Sequence, residues 1–107
     1  MNNNNKVIVS SCDNYESKNI KKAVSNIFNQ LDGLDEQFKN ANTVVIKPNL
    51  LLGKTPEECV TTHPSLLKEV INKVKDYDCR IVIGDSPGGP FNELRLKNIY
   101  KKTGLYE

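Results

Sequence analysis

The sequence predicts an α/β fold of the three-layer type, with a mostly parallel sheet and the alternation β-α-β-α-β-α. Three observations predict it. Short β-branched runs recur along the chain: Val7-Ile8-Val9, Val44-Val45-Ile46 and Ile81-Val82-Ile83. Between and after them, apolar residues return at helical spacing. The last two runs each end in a polar, proline-punctuated loop, Lys47-Pro48-Asn49-Leu50 and Gly84-Asp85-Ser86-Pro87-Gly88-Gly89-Pro90.

In chain order, Lys6 to Ser10 reads as a first strand and Asp13-Asn14-Tyr15 as a turn. From Ser17, a fitting N-cap, Ile20, Val24, Ile27, Phe28 and Leu31 mark a helix that Gly33 would close. Asn40-Ala41-Asn42 breaks the chain before a second strand, Thr43 to Ile46. A long loop follows, from Lys47 to His63. Pro64 suits the first position of a helix whose face carries Leu66, Leu67, Val70, Ile71 and Val74, ending near Lys75. Asp76-Tyr77-Asp78 turns into the third strand, which Cys79 opens as a small hydrophobe. After the Gly/Pro loop, Phe91-Asn92 leads into a last helix with Leu96, Ile99 and Tyr100 on one side, stopped by Gly104.

The chain has 107 residues and a net charge of +2, which suits one domain and argues against nucleic acid as a partner. No apolar run approaches a membrane span, so no membrane partner is expected. Residues 1–5 read as a disordered tail without a secretory signal, and residues 6–107 as the amino-terminal part of a single α/β domain. The expected location is cytoplasmic. The three cysteines, Cys12, Cys59 and Cys79, form no C-x-x-C pair, so neither a disulfide framework nor a local zinc or iron–sulfur knuckle is indicated. Three strands leave open sheet edges, and the chain stops at Leu105-Tyr106-Glu107, just past a helix end. The expectation is an incomplete domain.

In open α/β sheets, ligands bind outside the carboxyl ends of the strands. The Gly84–Pro90 loop lies there. Its glycines allow close backbone approach, and its amides are expected to cradle an anion. Asp85 suits a proton or cation role; the plainer reading is an Asx cap on a tight turn. Lys47 should emerge at the same edge, where its ammonium can meet a phosphate or carboxylate. Asn49 offers both a donor and an acceptor. Thr61-Thr62-His63-Pro64 opens a helix, with Thr62 or His63 as N-cap. His63 is the sole histidine and suits a proton or metal-ligand role, against the plainer reading of a solvated cap. Gly53-Lys54-Thr55 suggests a P-loop, but that motif needs a glycine where Pro48 stands.

These segments together, Val44-Val45-Ile46-Lys47-Pro48-Asn49-Leu50, then Thr61-Thr62-His63-Pro64, then Gly84-Asp85-Ser86-Pro87-Gly88-Gly89, resemble the family labelled domain of unknown function 362. The resemblance runs from Lys6 onward. It implies an iron–sulfur-associated protein, often longer and often beside ferredoxin-type cysteine clusters. This chain has no C-x-x-C-x-x-C, so the resemblance implies no cofactor in this segment and a 4Fe–4S cluster in the full-length parent. The implied partners are a small-molecule or anionic ligand and the remainder of the domain or a ferredoxin-like module.

Two functions follow as expectations. In the first, the segment forms part of a small-molecule or anion pocket in a redox-associated protein. Asp85 and His63 would do the chemistry, and Lys47, Asn49, Thr61, Thr62, Ser86, Gly88 and Gly89 would hold the substrate. In the second, it is a non-catalytic structural piece whose sheet is completed by a missing region or another chain.

Overall fold

The computed structural model describes residues 5–89 and 92–105. Most of the expected tail (residues 1–4), the loop end at Pro90 and Phe91, and Tyr106 and Glu107 lie outside the described residues. The elements run α1 (Ser17–Gln30), α2 (Leu34–Asn40), β1 (Thr43–Ile46), a 3-10 turn (Pro56–Glu58), α3 (Pro64–Val74), β2 (Arg80–Ile83) and α4 (Glu93–Thr103).

β1 and β2 pair in parallel, with Thr43, Val44, Val45 and Ile46 opposite Arg80, Ile81, Val82 and Ile83. The α/β class with a parallel sheet therefore holds. Parallel strands need a long crossover, and the loop plus α3 supplies it. α1 packs against α3; α1 buries Ile20 and Val24, and α3 buries Leu67 and Val74. Leu50 and Pro48, both fully buried, place the loop after β1 in the core rather than over it.

The expected first strand differs. Lys6 to Ser10 joins no ladder, and among the described residues the sheet has two strands. Val7 and Val9 are 84% and 87% exposed. The alternation is present, but a strand exists only where an edge accepts it in register. Instead this segment lies beside α1, where Asn26 Nδ2 donates to Ser10 Oγ at 3.2 Å.

Gly33 also acts differently from its expected role. α1 closes at Leu31, and Gly33, with φ of 80°, begins a further helix, α2. Asp35 and Glu36 in its first turn and Lys39 in its last complement the helix dipole. The Asp35–Lys39 pair, at 2.7 Å, adds an i,i+4 contact. Phe38 of α2 bridges Phe28 of α1 and Tyr77 below α3, with ring centroids 6.1 and 5.3 Å apart. α3 and α4 begin and end where the residue pattern puts them. His63 and Asn92 are their N-caps, and Gly104, at φ of 79°, closes α4.

Candidate functional site

The parallel register delivers the carboxyl ends of β1 and β2 to one edge, and Gly84 N donates to Ile46 O at 3.2 Å to extend the pairing by one step. Lys47 and Asp85 then face each other. Lys47 Nζ lies 2.7 Å from Asp85 Oδ1. Asp85 Oδ2 accepts from Leu50 N at 3.0 Å, and the Ser86 backbone N–H also bonds this carboxylate. Lys47, above all, and then these amides hold the Asp85 carboxyl below the usual carboxylate range against the opposing effect of burial. The Asp85 side chain is 5% exposed and that of Lys47 70% exposed. The carboxylate is thus enclosed and shared, while the ammonium stands at the surface with donors to spare.

The third expected segment joins the same cluster. Asn49 N donates to Thr62 Oγ1 at 2.7 Å, and Thr62 N donates back to Asn49 O at 3.1 Å. This reciprocal pair fixes the start of α3 against the loop after β1. Gly88 N donates to Leu51 O at 2.8 Å, tying the Gly84–Gly89 loop to the same strand end. Arg95 of α4 donates through Nη2 to Gly88 O, and its guanidinium lies against Gly89. All three loops are therefore cross-linked at one edge.

The expected amide cradle is largely engaged by these cross-links. The Asn49, Leu50, Gly84, Ser86 and Gly88 amides all have partners within the cluster, and Pro48 and Pro87 have no N–H. Side-chain donors remain as well. Among the described residues, the exposed Asn49 amide and Ser86 hydroxyl have no hydrogen-bond partner. Thr61 Oγ1 is buried with no partner among the described residues.

His63 caps α3, its Nδ1 accepting from Ser65 N at 3.1 Å, so in the neutral ring Nε2 carries the hydrogen. Its ring stacks on Tyr15, with centroids 3.7 Å apart and planes within 10°. No residue pattern pointed to that stack, because Tyr15 reaches His63 only through the packing of α1 on α3. The turn between Leu50 and Gly53 was also unread. Leu51 takes a left-handed φ of 48°, and Gly53, at 73°, is buried against Ile99. Thr55 and Glu58 form a capping box at the 3-10 turn.

The cysteines do not meet. The Cys12 thiol donates to Asn14 O, that of Cys59 to Glu57 O and that of Cys79 to Val74 O. Among the described residues, no group of three or more His, Cys, Asp or Glu side chains could hold a metal ion. Among them, too, no helix is long and apolar enough to cross a membrane.

The sequence pattern of the family described as Domain of unknown function (DUF362) matches residues 44–107, which include all three loops. A relative is the thylakoid-associated protein sll1697 of Synechocystis sp., 31% identical over 74 residues. The match takes in 68% of this chain and 23% of that relative, so the chain spans about a quarter of its length. No solved structure matches.

Proposed function

The chain belongs to the domain of unknown function family DUF362, and on that footing we propose that its strand-end loops bind a small anionic molecule. The observation that carries this reading is the asymmetry of the Lys47–Asp85 pair, an enclosed carboxylate holding an exposed ammonium. A fixed cation at the carboxyl edge of a parallel sheet suits an anionic group. Lys47 anchors the ligand, while Asn49 and Ser86 reach it by hydrogen bonds. Thr61, Thr62, Gly88 and Gly89 shape the wall. His63 offers Nε2–H from the start of α3. Asp85, held ionised by Lys47 and two amides, works by placing Lys47 and the Leu50 turn rather than by carrying a proton. The redox association belongs in this proposal to a larger protein, where a 4Fe–4S cluster would take its ligands from other residues.

The test is calorimetric titration of the chain with sodium phosphate and, separately, sodium lactate at constant ionic strength, with Lys47→Met alongside. Binding of one anion, weakened about tenfold or more in Lys47→Met, is expected for loss of a charged hydrogen bond. A chain that binds neither, or a variant that binds as wild type, overturns the reading.

A further inference from the structure

A second concavity shares no residue with the Lys47–Asp85 cluster. It lies between α3, the last residue of β2 and the close of α4, and holds about 410 Å³. Small-molecule sites run from about 300 Å³ upward. In its wall the end of α4 meets the start of α3, where a Cβ on Gly104 would come 3.0 Å from Pro64 Cγ. Leu67, Ile71, Ile83 and Leu105 supply the apolar lining. Leu67 is buried, and Ile83 is 36% exposed. Four such side chains fall far short of the roughly 800 Å² a side that a stable protein interface buries. A concave floor of this size suits a small molecule instead.

The charge of the cleft narrows the ligand further. Among the described residues, Lys68 is the one charged residue of this lining. It is exposed, and among the described residues no hydrogen bond or ion pair engages it. Asn72 lines the same cleft one turn on, and residues four apart on a helix are neighbours. An ammonium and a carboxamide side by side both donate, and two donors match the two oxygens of a carboxylate. The complement to one cationic side and an apolar floor is an anionic head on a hydrocarbon body. We propose that this cleft binds a small amphipathic monocarboxylate. Its carboxylate meets Lys68 and Asn72, and its hydrocarbon part covers Leu67, Ile71 and Ile83. The site stands apart from the strand-end reading and does not depend on it.

Butyrate, hexanoate and neutral hexanamide serve as probes, titrated into the full chain at one pH and ionic strength and followed by backbone amide NMR shifts. Hexanoate should move the amides of residues 65–72 and of Ile83, Gly104 and Leu105. It is expected to bind about four- to tenfold more tightly than butyrate, for two further methylenes placed on the floor. It should exceed hexanamide by about two- to fivefold, the worth of an exposed charge pair. Lys68→Gln should bring hexanoate down to the level of hexanamide and leave hexanamide in place. Lys68 is exposed, so the variant should fold as wild type, which its amide spectrum checks. Hexanoate binding no tighter than butyrate overturns the proposal, as does hexanoate binding unchanged in Lys68→Gln. Shifts centred on Lys47 and Asp85 would assign the carboxylate to the strand ends and overturn it too. So would sedimentation as a dimer whose dilution moves the cleft amides, because a second copy would then occupy the cleft.

Discussion

Lys47 reaches across the end of the sheet to set its ammonium 2.7 Å from Asp85, whose other oxygen holds the Leu50 amide at 3.0 Å. One carboxylate thus fastens the ends of both strands to the turn that follows β1. Asp85→Ala removes these contacts and leaves a half-buried Leu50 N–H unpaired. A loss of about 1–3 kcal/mol is expected in urea denaturation, with Asp85→Asn losing less because its oxygen can still accept from Leu50. Equal losses in the two variants would show that the charge, not the acceptor, matters.

Acid stability should report the same group. The folded-state pKa of Asp85 is lowered, chiefly by Lys47. Its contribution is therefore present above the unfolded value, near about 4, and is lost as pH falls through the lower folded value. Melting temperature followed from pH 6 downward should fall less steeply in Asp85→Asn than in wild type. Parallel curves would refute this assignment.

Gly53 and Gly33 share a left-handed backbone but not their surroundings. A Cβ on Gly53 would come 2.8 Å from Ile99 Cγ1, whereas one on Gly33 would meet nothing within 4 Å. Gly33→Ala should cost about 1 kcal/mol from backbone conformation alone. Gly53→Ala should cost at least about 1 kcal/mol more, because Ile99 is buried and has to shift. Chemical denaturation of both variants gives the comparison.

Thr61 presents the opposite case. Its hydroxyl is buried without a partner among the described residues, so Thr61→Val, close in shape, should leave stability unchanged or raise it. A loss above about 1 kcal/mol would mean that the hydroxyl has a partner in solution, such as an ordered water.

Val9→Lys tests the amino-terminal segment. With Val9 87% exposed and outside the sheet, the change should stay within about 0.5 kcal/mol by thermal melting. A larger loss would place Lys6 to Ser10 in a strand after all.

Much of this arrangement is legible in the amino-acid sequence. The runs Thr43–Ile46 and Arg80–Ile83 are strands, Pro64 and Gly104 bound helices, and Lys47 and Asp85 share one edge, because each rests on local punctuation or on strand direction. Lys6 to Ser10 misled, since alternation describes a strand's faces and not whether an edge awaits it. Gly33 misled because a left-handed glycine ends one helix or begins another with equal ease. The engagement of the Leu50, Ser86 and Gly88 amides was hidden for a different reason. A glycine- and proline-rich loop reveals its freedom, but its partners come from the other loop, across a crossover. The Tyr15–His63 stack depends likewise on how α1 meets α3.

The parallel pairing of β1 with β2 has one more consequence. A parallel pair is polar as an object: one rim gathers chain ends and the other gathers chain beginnings. Lys47, Asn49, Asp85 and Ser86 all lie just past the ends, while the register from Thr43–Arg80 to Ile46–Ile83 lies wholly behind them. Replacing an exposed residue such as Asn49 or Ser86 therefore changes the surface of the rim without touching the ladder. Asp85 is the exception, because it is tied to both. Change is thus light at the exposed positions of the rim and costly at that one carboxylate, which joins both strand ends.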